Sequence, residues 1–162
     1  MRTPSTTHPI RRHSRTGLGL LEVIITVIII GIMAAVTGPR ISASIVRYQV
    51  EAAARRVAAD LNHARQNAMT FGTDRTVTFN VASHSYDLAG IADMDHSSQE
   101  YSVSLADTGY ASTLVSVDFG SGTSVTFSRY GRPDNGGTVV VTVGGEQRSV
   151  VVNPATGKAI VQ

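Results

Sequence analysis

The sequence predicts an α+β protein: a long, kinked N-terminal helix packed on a small antiparallel β-sheet domain. Three observations predict it. Leu18 to Val36 is a 19-residue apolar run broken by one charge, Glu22, and one hydroxyl, Thr26. A second stretch repeats apolar residues at spacings of four and three up to residue 71. After Gly72, segments rich in β-branched residues recur about every ten residues, separated by Gly, Pro and Asn turns. Composition agrees with a folded domain. Hydrophobic residues make up 42% of the 162 residues and charged residues 16%, which excludes a disordered, solvating chain. Cysteine is absent, which excludes disulfides, thiolate metal sites and cysteine nucleophiles.

Residues 1–17 carry Arg2, Arg11, Arg12 and Arg15 and no acid. Such a leader stays on the cytoplasmic side of a membrane. Residues 18–37 follow as the membrane half of the helix. As a helix, 19 residues extend about 28 Å, close to a hydrocarbon core of about 30 Å. The expected topology is therefore single-pass, with the N-terminus inside and the C-terminal domain outside. An ordinary secretory signal has a shorter apolar core. The small residues Ser42-Ala43-Ser44 lie well past the apolar end, too far for a usual cleavage site. Glu22, four residues into the run, is the costly group, because a carboxylate in hydrocarbon needs a partner. A free amine on Leu18 would supply one if the chain were cut after Gly17.

Pro39 lacks an N–H and clashes with the preceding turn, so a kink is expected there. Residues 38–72 form the amphipathic half. Val50, Ala54, Val57, Leu61, Ala64, Ala68 and Phe71 make its apolar stripe. Arg47, Glu51, Arg55, Asp60 and Arg65 mostly lie off that stripe. Glu51 and Arg55 form an i,i+4 pair in the favourable order. Gly72 ends the helix. In the β-rich domain, 73–162, strands are expected at 76–81, 101–105, 113–119, 124–128, 138–143, 149–152 and 158–161. Gly144-Gly145 marks a hairpin, residues 132–137 and 153–157 mark turns, and residues 90–99 read as an exposed loop.

Gly17-Leu18-Gly19-Leu20-Leu21-Glu22-Val23 before an apolar run resembles the class III signal of type IV pilins and type II secretion pseudopilins. Leu18 stands where Phe is usual, and Gly19 where Thr or Ser is common. Later residues extend the likeness: Arg65-Gln66-Asn67-Ala68, Val125-Thr126-Phe127, Gly131-Arg132 and Thr156-Gly157-Lys158 resemble the GspH/FimT group of minor pseudopilins. The resemblance implies a pilin-like fold and a structural subunit rather than an enzyme. It implies a prepilin peptidase that cuts between Gly17 and Leu18 and methylates the Leu18 amine. It implies that Glu22 meets the N-terminal amine of a neighbouring subunit during assembly. The partners implied are the peptidase, other major and minor pseudopilins, an inner-membrane assembly platform and membrane lipid. The expected role is in the type II secretion pseudopilus, with a type IV pilus or competence minor pilin, some of which bind DNA, as the alternative.

Other candidate sites are weaker. Asp93-Met94-Asp95-His96 offers two carboxylates and an imidazole, too few for calcium, and no EF-hand completion follows. His63 falls on the polar side of the helix; His84 and His96 fall in loops. No Ser–His–Asp constellation can be assigned from spacing, so no hydrolase is expected; with too few ligands at 93–96 and glycine pairs lying between strands rather than at a strand–helix junction, no metal or cofactor is expected either. Arg129, Arg132, Arg148 and Lys158 read as solvated turn residues. Outside the leader, ten Lys/Arg face twelve Asp/Glu, a balance that argues against a nucleic-acid partner.

Overall fold

The computed structural model describes residues 19–93, 99–107, 109, 111–120 and 122–162, with the side chains of 36–42 outside that description. Helix α1 (Leu20–Phe71) precedes eight strands: β1 (Arg75–Asn80), β2 (Ser85–Ala92), β3 (Glu100–Ser104), β4 (Thr113–Asp118), β5 (Ser124–Phe127), β6 (Gly137–Val143), β7 (Glu146–Val152) and β8 (Ala159–Val161). They form two antiparallel sheets, ordered β3-β2-β1-β5 and β4-β6-β7-β8. The chain divides into two units, Met1–Arg40 and Ile41–Gln162.

In the first unit, helical backbone continues through Gly38 and Pro39. Pro39 itself lies in the stretch whose side chains are not described. From Leu20 to Met33 the large apolar side chains are 47–79% exposed. Among the described residues no helix is long and apolar enough to cross a membrane.

In the second unit the helical stripe meets both sheets. Val50, Ala54, Val57, Leu61, Ala64 and Ala68 are fully buried. They share one core with Val77, Phe79, Tyr86, Leu88, Val125 and Phe127 of the first sheet and Val139, Val141, Val150 and Val152 of the second. Period-two alternation on β6, with Val139, Val141 and Val143 turned inward, is what a half-covered antiparallel sheet requires. Phe71 departs from the expected stripe and is 65% exposed. The helix ends there: Gly72 is left-handed at φ 65°, and the Thr73 N–H returns to the Ala68 carbonyl. That 6→1 bond is a Schellman closure, and it turns the chain away before Phe71 reaches the core.

The strands at 76–81, 101–105, 113–119, 124–128, 138–143, 149–152 and 158–161 are found, most with ends moved by a residue; β7 starts three residues earlier, at Glu146. Strand β2 was not expected. Tyr86, Leu88 and Ile91 are its buried residues. The two-residue period fails between Leu88 and Ile91, because the register with β3 shifts between Leu88 and Ala92. A bulge of this kind erases the sequence signal of a strand while preserving its pairing. Residues 90–92 thus belong to a strand, and 94–98 of the expected loop lie outside the described residues.

Candidate functional site

Helix α1 opens on Gly19, whose carbonyl accepts from the N–H groups of Glu22, at 2.9 Å, and Val23, at 3.3 Å. Glu22 therefore sits in the first turn, where the helix dipole favours a carboxylate. The Thr26 hydroxyl donates to the Glu22 carbonyl at 2.6 Å, so the one hydroxyl in the apolar run is satisfied locally. Glu22 is exposed, and among the described residues no cation pairs with it. Gly17 and Leu18 lie outside the described residues.

The polar side chains of the second unit tie the helix to the sheets. Asp60, expected on the solvated side, is only 7% exposed. Its Oδ2 accepts from the Tyr86 hydroxyl at 2.5 Å and from Arg56 Nε at 3.0 Å. Tyr101 closes the group, with its hydroxyl bound by the Arg56 guanidinium. A buried carboxylate is costly unless hydrogen-bonded donors surround it, and here they do. Burial, and then the negative Asp60 beside it, push the Tyr86 hydroxyl well above the usual tyrosine range. Burial, with Asp60 nearby, raises Tyr101 as well. An open cleft of about 690 Å³ adjoins this group, lined in part by His63, Asp93 and Asp107.

Glu51 links helix to sheet in another way. One oxygen accepts from Arg55 Nε at 2.9 Å, the expected i,i+4 pair, and the other from Arg148 Nε of β7 at 3.1 Å. The bond from Arg55, reinforced by Arg148, holds the Glu51 carboxyl below its usual range. Arg148 is therefore a strand residue joined to the helix, not a solvated turn cation. Arg129 stacks its guanidinium over the Tyr130 ring at 5.1 Å, and its N–H binds Asp74 beyond the helix end. Residues 51 and 71 are about 30 Å apart along a helix, so Arg148 and Arg129 do not build one basic patch.

Two links were missed in the sequence. The Asn62 amide donates to the Ala159 carbonyl at 3.0 Å and accepts from the Ala159 N–H at 3.1 Å. A helix side chain thereby takes the place of a neighbouring strand on the β8 edge. Arg65 Nε donates to the Gly131 carbonyl at 3.0 Å. Gly131 and Gly157 are both left-handed, at φ 73° and 69°, and both face Arg65. The signal was present in Arg65, Gly131 and Gly157, but nothing in the spacing told that they meet. Among the described residues no group of three His, Asp or Glu side chains is placed to hold a metal. Met94, Asp95 and His96 lie outside the described residues.

A helix whose C-terminal half covers two small antiparallel sheets, and whose residues 20–33 carry exposed large apolar side chains, has the architecture of a pilin-like subunit. The family model for the type II transport protein GspH matches residues 53–156, and the chain belongs to that family, whose members are structural subunits and not enzymes. Among solved structures, the minor pseudopilin EpsH from the type 2 secretion system of Vibrio cholerae is similar. It has 15% identity and a TM-score of 0.54, over 70% of this chain and 96% of that one. The type IV minor pilin FimU of Pseudomonas aeruginosa PAO1 is equally similar, at 15% identity and a TM-score of 0.53, over 72% of this chain and 90% of that one. At that identity the likeness shows the pilin-like fold alone. No curated protein matches the chain.

Proposed function

We propose that this chain is a membrane-anchored minor pseudopilin of a type II secretion pseudopilus, which helps export folded proteins across the outer membrane. Residues 1–17 are the cytoplasmic leader, 18–37 the inner-membrane half of the helix, 38–72 its periplasmic half and 73–162 the globular domain. A prepilin peptidase cuts after Gly17 and methylates Leu18. Lipid holds the subunit until the assembly platform moves it into a bundle with other pseudopilins, leaving its domain in the periplasm. The observation that carries this reading is the bare apolar helix start, where Glu22 stands exposed with no cation paired to it among the described residues. A neighbour's amine at about 4 Å would gain up to about 4 kcal/mol in surroundings of effective dielectric near 20. The equal likeness to FimU supports a second reading, a type IV pilus or competence minor pilin. The separation of Arg129 from Arg148 and the acidic balance of the body argue against nucleic acid as the partner in either case.

Mass analysis of the membrane-extracted protein tests the cut. A mature chain starting at methylated Leu18 is expected, and Gly17 replaced by a bulky residue keeps the leader. Glu22→Gln and Glu22→Ala are expected to be cleaved normally but to co-purify poorly with partner pseudopilins and to lower secretion of a reporter protein. A native terminus elsewhere, or normal assembly by both Glu22 variants, refutes the scheme. Loss of twitching or DNA uptake on deletion, with secretion intact, selects the pilus instead.

A further inference from the structure

We propose that His84 is a pH-sensitive clip that joins the two sheets and closes the neck of the loop between β3 and β4. His84 ends the β1–β2 turn with left-handed backbone, φ 51°. That turn is rigid: Asn80 Oδ1 accepts from the N–H groups of Ala82, at 3.0 Å, and Ser83, at 3.2 Å. His84 then makes two bonds at the neck. Its carbonyl accepts from the Leu105 N–H at 2.9 Å, just past β3, and its Nδ1 accepts from the Leu114 N–H at 3.2 Å, at the start of β4. Buried Ser112 ties the same neck, with its N–H 3.2 Å and its hydroxyl 3.4 Å from the Leu105 carbonyl.

The chemistry of the second His84 bond is one-sided. A backbone N–H can only donate, so Nδ1 must present its lone pair and the ring proton must sit on Nε2. A protonated imidazole carries hydrogen on both nitrogens. It would then set an N–H against the Leu114 N–H, and the bond is lost. The clip is therefore closed while the ring is neutral and open once it is protonated. Opening frees an N–H on β4, which is an edge strand of its sheet, while the carbonyl bond to Leu105 is untouched by the proton. Among the described residues, the titratable groups on the segments that meet here are Tyr86, Asp87, Glu100, Tyr101, Asp107 and Asp118. Tyr86 binds Asp60, Glu100 accepts from the Gly90 N–H, the Tyr101 hydroxyl meets Arg56 and Asp60, Asp107 accepts from the Ser104 hydroxyl and Asp118 from the Gly120 N–H. Asp87 is exposed on β2. None of the six hydrogen-bonds the His84 ring.

Selective labelling tests this in the full chain held in detergent micelles. The chain has seven leucines, and two of them, Leu105 and Leu114, report the two bonds. With 15N-leucine, the Leu114 amide should shift between about pH 7.5 and 5 and lose roughly 5- to 10-fold of its intrinsic-rate-corrected exchange protection, the equivalent of one hydrogen bond. Leu105 should change much less. His84→Asn places an amide oxygen near the Nδ1 position and tolerates positive φ, so Leu114 should stay protected throughout. His84→Gly keeps the backbone and removes the acceptor, so Leu114 should be unprotected at both pH values. A Leu114 amide indifferent to pH in the unmodified protein, or the same titration in the Asn variant, overturns the proposal.

Discussion

Removing the Asn62 side chain should loosen the last strand from the helix. Strand β8 is three residues long and pairs with β7 on one side only. On its other side the Asn62 amide supplies one donor and one acceptor to Ala159, which is 3% exposed. Two such bonds contribute about 1 kcal/mol each, and leaving partly buried backbone groups unmatched adds to the loss. Alanine returns about 0.5 kcal/mol through its better helix propensity. The net cost of Asn62→Ala is therefore about 2 kcal/mol, a fall in Tm of roughly 6–10 °C for a domain of this size. Asn62→Asp keeps the shape and the acceptor but turns a carboxylate toward the Ala159 carbonyl, and should be at least as damaging. Urea unfolding of a fragment spanning residues 41–162, followed by circular dichroism because the chain has no Trp, measures both. An Asn62→Ala midpoint that implies less than about 0.5 kcal/mol would show that water replaces the amide and that β8 is held by β7 alone.

Two further outcomes follow from the same junctions. Gly157→Ala should destabilise by more than about 2 kcal/mol, because a Cβ there strains a left-handed residue and presses on the Gly131 carbonyl and on Arg65 Cδ, 3.1 Å away; Gly145→Ala, left-handed but facing open space, should cost only the backbone strain of about 1–2 kcal/mol, and equal melting temperatures would refute the crowding. Tyr86 keeps its proton more tightly folded than unfolded, so its stabilisation is complete below the unfolded value near 10 and is lost as pH rises through and beyond it, at about 1.4 kcal/mol per pH unit; Tyr86→Phe should make the decline in urea midpoints from pH 9 to 11 shallower, and an unchanged slope would refute the role of burial beside Asp60.

The helix was legible because its signals are local. Six of the seven predicted stripe residues are fully buried, and Gly72 stops the helix where expected. Strands with intact alternation, such as β6, were legible for the same reason. Strand β2 was not, because a bulge interrupts the period that betrays a strand. Asp60 was misplaced because a carboxylate on a helix reads as solvent-facing, and two of its donors, Tyr86 and Tyr101, come from 26 and 41 residues away. Gly17 and Leu18 were singled out through resemblance, since no local rule of helix formation marks a glycine before such a run, and both lie outside the described residues.

The non-local polar links also settle something that the core cannot. Between positions 53 and 68 the buried helix face holds five alanines, Ala53, Ala54, Ala58, Ala64 and Ala68, against Val57 and Leu61. A face of methyl groups is smooth. Its burial drives association but penalises a small slide or rotation only weakly, because few knobs must leave their holes. Directional bonds are different, since a shift of about 1 Å breaks them. Glu51 with Arg148, Asp60 with Tyr86, Asn62 with Ala159, Arg65 with Gly131 and Asn67 with Arg75 recur along about 24 Å of helix. They reach β7, β2, β8, the β5–β6 turn and β1 in turn. With both sheets engaged on both sides of the alanine face, the helix can neither rotate nor slide without breaking a bond somewhere. The apolar stripe makes the helix bury itself, and these five polar pairs determine the register in which it does so.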